Sequence, residues 1–218
     1  MTLLCFTLLN HEQKMKHFYL LILASLMIVC SCEKEVVDPK DVMLKDIAGE
    51  YYLVDYNWNR ALQIDIDNNG ECTSDLLPVF SNWSNAGSYS FKVASNAGVY
   101  YGNGSVCIPM VLGNAPSSVY PGLAWLNFKF NVNSDGISFP SESLEILTPE
   151  VCSTKFSNPQ MEFCYEHDSK DVRYLIITMD AQFYDYSTND YVDGRVRMQF
   201  VTAPAISVEN GLITAWGN

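Results

Sequence analysis

The residues best suited to chemistry lie in one short segment, Asp65–Leu76, which reads DIDNNGECTSDL. Its opening, D-x-D-x-N-G, puts oxygen ligands at positions 1, 3 and 5 and a glycine at position 6. The first half of a calcium-binding loop has the same pattern, because its ligands converge on one point and its glycine permits a sharp turn. The expected ligands are the side chains of Asp65, Asp67, Asn69 and Asp75, with the backbone carbonyl of Glu71.

The same segment also supports a simpler interpretation. Position 12, where an EF-hand has a bidentate glutamate, is Leu76, and the preceding residues alternate like a strand rather than a helix. In this alternative Asn68, Asn69 and Gly70 form a left-handed polar turn, and the aspartates are solvated. The sequence therefore predicts either a weak calcium site or a polar turn.

Two tryptophans form the second candidate site. Trp58 and Trp83 lie in the polar contexts YNWN and SNWSN. Exposed aromatic rings beside amides can stack on sugar rings or line the mouth of a ligand cavity. The alternative is that both rings close one end of the fold or cover an edge strand. Trp125 and Trp216 lie in strand-like runs, and we expect them in the core.

Cysteine chemistry has two candidate forms. Four cysteines follow Cys32, and Cys152 and Cys164 are closest in sequence, so a disulfide between them would staple neighbouring segments. The alternative is that these are free thiols that pack as small apolar residues. The second candidate is a zinc site from Cys152, Cys164 and His167.

Catalytic motifs give no support for an enzyme. The chain has three histidines, of which only His167 follows Cys32, so a histidine-dependent nucleophile has a single candidate base. Carboxylates are plentiful, but sequence alone pairs none of them at the separation that glycoside hydrolysis requires. We therefore expect no catalytic residues, and we rank an acid/base hydrolase last among the functions.

Short strands separated by turns must position these residues. Pro39–Ala48 is predicted to be a short helix, since Asp38 precedes Pro39 and Gly49 follows. Leu126–Val132 alternates with its apolar residues on one face, and Val172–Asp185 and Arg195–Thr202 form two long β-patterned runs. The expected fold is all-β: an antiparallel meander closed as a barrel, or alternatively a β-sandwich, after a short N-terminal helix.

The first 31 residues are typical of an export signal. Lys14, Lys16 and His17 precede the apolar run Phe18–Val29, which is too short for a membrane span. The following Val-Cys-Ser-Cys resembles the lipobox of bacterial lipoproteins, which implies that Cys32 is acylated. The predicted organisation is therefore a signal peptide over residues 1–31, with Met15 as an alternative start, a lipidated tether over 32–37 and one domain over 38–218.

Two further resemblances concern the fold and its location. The segment Ile47–Leu53, IAGEYYL, resembles the entry to the first strand of lipocalin-like domains, which implies an up-and-down barrel with a cavity for one small ligand. The residues after Cys32 are similar to those of Bacteroidetes-type outer-membrane lipoproteins. This resemblance implies lipid anchoring in the outer membrane, on the cell surface or the periplasmic face.

Charge narrows the range of partners. The formal net charge of −12 repels nucleic acid and anionic surfaces. We expect a lipid-anchored binding module for a small apolar ligand or a glycan, with no cofactor required and calcium as the one candidate. The alternative is an accessory protein of an envelope complex that binds no small ligand.

Overall fold

The structure, a computed structural model, describes eight parts of the chain: 37–58, 63–84, 89–93, 100–133, 136–166, 169–202, 206–209 and 212–215. The predicted signal peptide, Cys32, His167 and Trp216 lie outside these residues. The helices are α1 (Pro39–Ile47) and α2 (Leu76–Ser84). The strands are β1 (Gly49–Trp58), β2 (Ser90–Val93), β3 (Tyr101–Asn114), β4 (Ser118–Asn133), β5 (Gly136–Ser138), β6 (Glu145–Leu147), β7 (Lys155–Glu166), β8 (Ser169–Asp185), β9 (Asp190–Thr202), β10 (Ile206–Glu209) and β11 (Leu212–Ala215).

Helix α1 forms where the sequence predicts it and is fixed at its C-terminal end. Leu44 and Ile47 are buried, and the Tyr51 hydroxyl donates to the Ile47 carbonyl at 2.8 Å. Arg173 of β8 donates to the carbonyls of Asp46 and Ala48 at 2.6 and 3.1 Å. These are the carbonyls that a helix end leaves without intrahelical partners.

The larger sheet has five antiparallel strands in the order β2-β1-β9-β8-β7. Strands β8 and β9 are its longest pair, and a turn over residues 186–189 joins them. The two predicted runs left Tyr186–Gly194 between them as a polar loop. The connection is much shorter, because β9 begins at Asp190. Strand β7, which the sequence pattern missed, pairs with β8 at the edge of the sheet.

The smaller of the two main sheets is built on the long hairpin of β3 and β4, and β5 and β6 both pair with β4. Strands β10 and β11 pair with each other as a separate two-stranded sheet. Two glycines of β3 make room for aromatic rings of β4. A Cβ at Gly102 or at Gly104 would lie 2.3 Å from the ring of Phe130 or of Phe128, respectively. Any larger residue at either glycine would therefore displace a buried phenylalanine.

The edges of the two sheets adjoin, since β2 lies beside β3 and β6 lies beside β7. Residues Pro39–Asn218 form one unit around a single hydrophobic core. Large rings fill this core, all of them 2% exposed or less: Tyr51, Tyr56, Trp58, Phe80, Phe128, Phe130, Phe183 and Phe200. The expected fold class is confirmed: the protein is all-β and antiparallel, with a short N-terminal helix. No helix within the described residues is long and apolar enough to cross a membrane.

A β-bulge in β1 decides which residues reach the core. The register with β9 shifts between Leu53, which pairs with Phe200, and Asp55, which pairs with Gln199. One extra residue reverses the alternation, because side chains on a strand point to opposite faces in turn. Consequently Tyr56 and Trp58 face the core after the bulge.

Candidate functional site

The segment predicted to bind calcium is anchored through Asp65. This residue is buried, and its two side-chain oxygens accept the N–H groups of Asn69 at 3.3 Å and Gly70 at 3.0 Å. Its own N–H donates to Asp185 Oδ1 at 3.0 Å, and its carbonyl accepts the N–H of Tyr186 at 2.8 Å. The polar-turn interpretation expected Asp65 to be solvated. That expectation is wrong, because Asp65 is buried and its backbone is joined to the β8–β9 hairpin.

The middle of the segment is held by its own side chains. Asn69 donates from Nδ2 to Asp67 Oδ2 at 3.1 Å and accepts the N–H of Glu71 at 2.6 Å. Asn68 takes a left-handed backbone with φ 58°. Partial burial and the nearby Asp65 carboxylate raise the pKa of Asp67. This arrangement is that of a polar turn, because side chains satisfy backbone donors within the loop.

Asp75 has a separate structural role at the start of α2. Its Oδ1 accepts the N–H of Leu77 at 3.3 Å, and its own N–H donates to Thr73 Oγ1 at 3.0 Å. This is the geometry of a helix N-cap. Within the described parts of the chain, no three His, Cys, Asp or Glu side chains are grouped to hold a metal ion. Calcium binding by this segment stays a prediction, and the contacts favour the polar turn.

Asp185 binds the segment Asp65–Leu76 to the β8–β9 hairpin through the N–H of Asp65. Besides the Asp65 N–H, its carboxylate accepts the N–H and hydroxyl of Ser187 and the hydroxyl of Thr188, at 2.8 to 3.0 Å. Burial alone would raise the pKa of Asp185, but these hydrogen bonds outweigh burial and lower it. The carboxylate is therefore held in its charged form.

The cysteines do not form the expected disulfide. Cys72, Cys107, Cys152 and Cys164 are all free. The backbone of Cys152 pairs with Leu112 of β3 in an isolated β-bridge, whereas Cys164 lies in β7 opposite Tyr174. The two thiols therefore belong to different parts of the fold. Burial, together with the nearby Glu162 carboxylate, raises the pKa of the Cys164 thiol, which makes it a weak nucleophile.

The structure decides between the two interpretations of Trp58 and reverses the expectation for Trp125. Trp58 is 2% exposed and packs edge-on against Phe183, with ring centroids 5.5 Å apart, so it is a ring that fills the fold and not an exposed ligand-binding ring. Trp83 is half-buried and lies over Phe80 in α2. Trp125, expected in the core, is 47% exposed on the outer side of β4.

Trp125 belongs to a row of residues that crosses three strands. It pairs with Cys107 of β3 and with Leu147 of β6, which is also 47% exposed. The next row on the same side contains Ser105, Asn127 and Glu145. The Ser105 hydroxyl donates to Asn127 Oδ1 at 2.8 Å.

Two further rows continue this surface to a second aromatic ring. Asn103 pairs with Lys129, and then Tyr101, which is 70% exposed, pairs with Asn131. We call this surface the Trp125 face, and it consists of Tyr101, Asn103, Ser105, Trp125, Asn127, Lys129, Asn131, Glu145 and Leu147. It offers a ring at each end, with hydroxyl, amide, ammonium and carboxylate groups between them.

A signal for this surface was present in the sequence. The alternation that places Leu126, Phe128 and Phe130 in the core requires Trp125 to lie on the opposite side of the same strand. The expectation for Trp125 followed its apolar neighbours instead of this parity. Tyr101 had no comparable signal, because the start of β3 has no clear alternation.

No protein family, curated protein or solved structure gives a match to this chain. The resemblances to bacterial lipoproteins and to lipocalin-like domains therefore stay predictions. The class of fold is shown by the strands and their pairing alone.

Proposed function

We propose that this protein is a lipid-anchored glycan-binding protein of a bacterial outer envelope, and that the Trp125 face is its binding surface. One observation carries the proposal: two exposed aromatic rings lie at the ends of a strip of polar side chains on one side of a sheet. A sugar ring is amphipathic, with C–H groups on its faces and hydroxyls on its rim. Aromatic rings pack against such faces, and amides and carboxylates bind the hydroxyls.

The length of the surface favours an oligosaccharide over a single sugar. Trp125 lies opposite Cys107, which is six residues from Tyr101 along β3. At about 3.3 Å per residue, the two rings are separated by about 20 Å along the strand direction. A ligand that contacts both rings must therefore be an extended chain.

The core offers less support for a small apolar ligand held inside the fold. Phe128, Phe130 and Trp58 are fully buried and pack between the sheets. A ligand at these positions would have to displace side chains whose burial stabilises the protein by about 1.5 to 3 kcal/mol each. A surface site requires no such displacement.

The test is retention of the full chain, purified in detergent, on a panel of immobilised neutral polysaccharides. Trp125→Ala should abolish the retention that the unmutated protein shows. Tyr120→Ala is the matched control, since Tyr120 is 48% exposed on the same strand but lies outside the Trp125 face. If no polysaccharide of the panel retains the protein, or if both variants bind equally well, the proposal is wrong.

Anchoring is proposed on the sequence of the lipobox. Lipidation of Cys32 would attach one diacylglyceryl group to its sulfur, and the two acyl chains of that group are enough for firm membrane binding where one chain is marginal. We expect labelled palmitate to be incorporated into the unmutated protein and not into Cys32→Ser. Equal labelling of both proteins would exclude the lipoprotein assignment without affecting the glycan proposal.

An accessory role in an envelope complex is the second candidate, and one observation favours it. Leu123, Trp125 and Leu147 are adjacent and each at least 38% exposed, which is a feature of protein-binding patches. Substitutions in the row of Ser105, Asn127 and Glu145 distinguish glycan binding from protein binding. Asn127→Ala and Glu145→Ala should weaken binding to a glycan, whereas a partner held by the apolar residues would tolerate both changes.

A further inference from the structure

A second candidate surface, which is concave, lies on the outer side of the larger sheet, across β7, β8 and β9. It is an open groove of about 560 Å³ whose floor includes the backbone of Gly194. Lys155, Gln182 and Asp193 stand in one row across the three strands. Ser157 and Asp180 stand in the next row. We call this surface the Tyr191 groove, after the ring that lies beside the first row.

Neighbouring side chains hold the polar groups of the groove in place. Gln182 Nε2 donates to Asp193 Oδ1 at 2.8 Å, and Asn158 Nδ2 donates to Asp180 Oδ2 at 2.7 Å. Arg195 Nη1 lies 3.8 Å from Asp180 Oδ1. A carboxylate has about four acceptor positions. Asp180, held by Asn158 and Arg195, therefore keeps acceptor positions for hydroxyl groups of a ligand, and Asp193 is oriented by Gln182.

A pair of aromatic rings lies on the same side of the sheet, just beyond the residues that line the groove. Tyr184 and Tyr191 form a cross-strand pair with centroids 5.2 Å apart, and Tyr191 is 43% exposed. This pair follows the Gln182–Asp193 row by two residues on both strands, which is about 7 Å. Tyr186 also packs edge-on against Tyr184, with ring centroids 5.0 Å apart. The exposed ring of Tyr191 is therefore supported by Tyr184 and lies about 7 Å along the strands from the Gln182–Asp193 row.

The charges of the groove indicate a neutral ligand. Lys155 and Arg195 are cationic, and Asp180 and Asp193 are anionic, so the formal charges cancel. Anionic or cationic ligands would gain little from such a balance, whereas a hydroxyl-rich ligand can donate to both carboxylates and accept from Lys155 and Gln182. We propose that the Tyr191 groove binds a single neutral sugar unit, as a site separate from the Trp125 face. This inference rests on the proposed function for its ligand class and on its own residues for its location.

The experiment is saturation-transfer NMR of the full chain in detergent with neutral mono- and disaccharides, with glucuronate and glucosamine as charged probes. Tyr191→Ala and Asp193→Asn should each weaken binding of the preferred neutral sugar by about tenfold or more. Glu162→Gln is the matched control, because it removes an exposed carboxylate from the same sheet outside the groove. It should bind as the unmutated protein does.

The outcomes separate this site from the Trp125 face. Trp125→Ala should lose retention on polysaccharides yet keep its affinity for small neutral sugars. If Tyr191→Ala and Asp193→Asn bind these sugars normally while Trp125→Ala does not, the groove is not a binding site, although the proposed function stands. Preferred binding of either charged probe, or no transfer to any neutral sugar, also overturns the inference. Thermal unfolding of each variant verifies that the mutated proteins are folded.

Discussion

Trp58 and Trp125 show how differently one residue type can be used within a single fold. Trp58 is surrounded in sequence by tyrosine and asparagine, yet it is buried and packs on Phe183. Trp125 is surrounded by alanine and leucine, yet it is nearly half exposed. The polarity of adjacent residues predicted both positions wrongly, because in a strand adjacent residues lie on opposite faces.

The position of the bulge explains the rest of the difference. β4 pairs with β3 in an unbroken register, and its inner and outer residues alternate from Leu123 to Asn133. β1 contains a register shift after Leu53, which exchanges its inner and outer faces. Without the bulge, Asp55 and Asn57 would enter the core and Trp58 would leave it.

The largest effect is expected for Trp58→Ala. Removing a fully buried tryptophan should lower the free energy of unfolding by about 3 to 5 kcal/mol, since the change combines lost burial with a cavity. Chemical denaturation of the full chain in detergent measures this difference. A loss below about 1 kcal/mol would mean that the ring of Trp58 is not packed against Phe183.

Asp185→Asn should cause the next largest loss in the free energy of unfolding. It tests how much the hydrogen bonds at the end of β8, near Trp58, contribute to stability. Phe183, which packs against Trp58, lies two residues before Asp185 in β8. The substitution should cost about 1 to 3 kcal/mol, because an amide cannot replace a carboxylate that accepts from four donors. Asp190→Asn, an exposed position in the same hairpin, is the control.

The lowered pKa of Asp185 gives this prediction a pH dependence. A carboxylate whose pKa is lower in the folded state stabilises the protein above its unfolded pKa of about 3.9, and this contribution is lost as the pH falls through the folded pKa. Denaturation between neutral and acidic pH should therefore show a smaller acid loss of stability in Asp185→Asn than in the unmutated protein. Parallel curves would contradict the assignment.

Sequence patterns predicted regular elements well and irregular ones poorly. The helix at Pro39, the alternation of β4 and the long β8–β9 pair all follow from local propensity and period. Strand β7 was missed because Asn158 and Pro159 interrupt its pattern, and the structure places a register shift there, at an edge where proline is tolerated.

The candidate sites show the same limit. The polar turn over residues 65–71 could be recognised from Asn-Asn-Gly. Its attachment to Asp185 could not, because a contact between residues 120 apart in sequence depends on how the strands pair. The Trp125 face likewise requires the registers of three strands at once.

A smaller effect is expected for Trp125→Ala. Its side chain lies on the outer side of the sheet, so the free energy of unfolding should change by no more than about 0.5 kcal/mol. Tryptophan fluorescence compares the exposure of Trp58 and Trp125 directly. In a chain whose Trp83 and Trp216 are replaced by phenylalanine, two variants are made, Trp58→Phe and Trp125→Phe, so that each keeps one tryptophan. Acrylamide should quench the variant that keeps Trp125 far more than the variant that keeps Trp58. Equal quenching would mean that the two rings are equally accessible.

The smallest effect is expected from calcium. The composition of Asp65–Leu76 suggests an ion site, whereas the hydrogen bonds within this segment are those of a polar turn. Asp65 accepts the N–H groups of Asn69 and Gly70, Asp67 accepts from Asn69, and Asp75 caps α2. All four expected side-chain ligands therefore already have structural partners. Calcium at millimolar concentration should therefore leave the melting temperature of the full chain equal to that in chelator. Asp65→Asn should lower the melting temperature in both buffers, because an amide accepts these N–H groups less well than a carboxylate does. A rise in the melting temperature with calcium that Asp67→Asn abolishes would show that the turn opens to bind the ion.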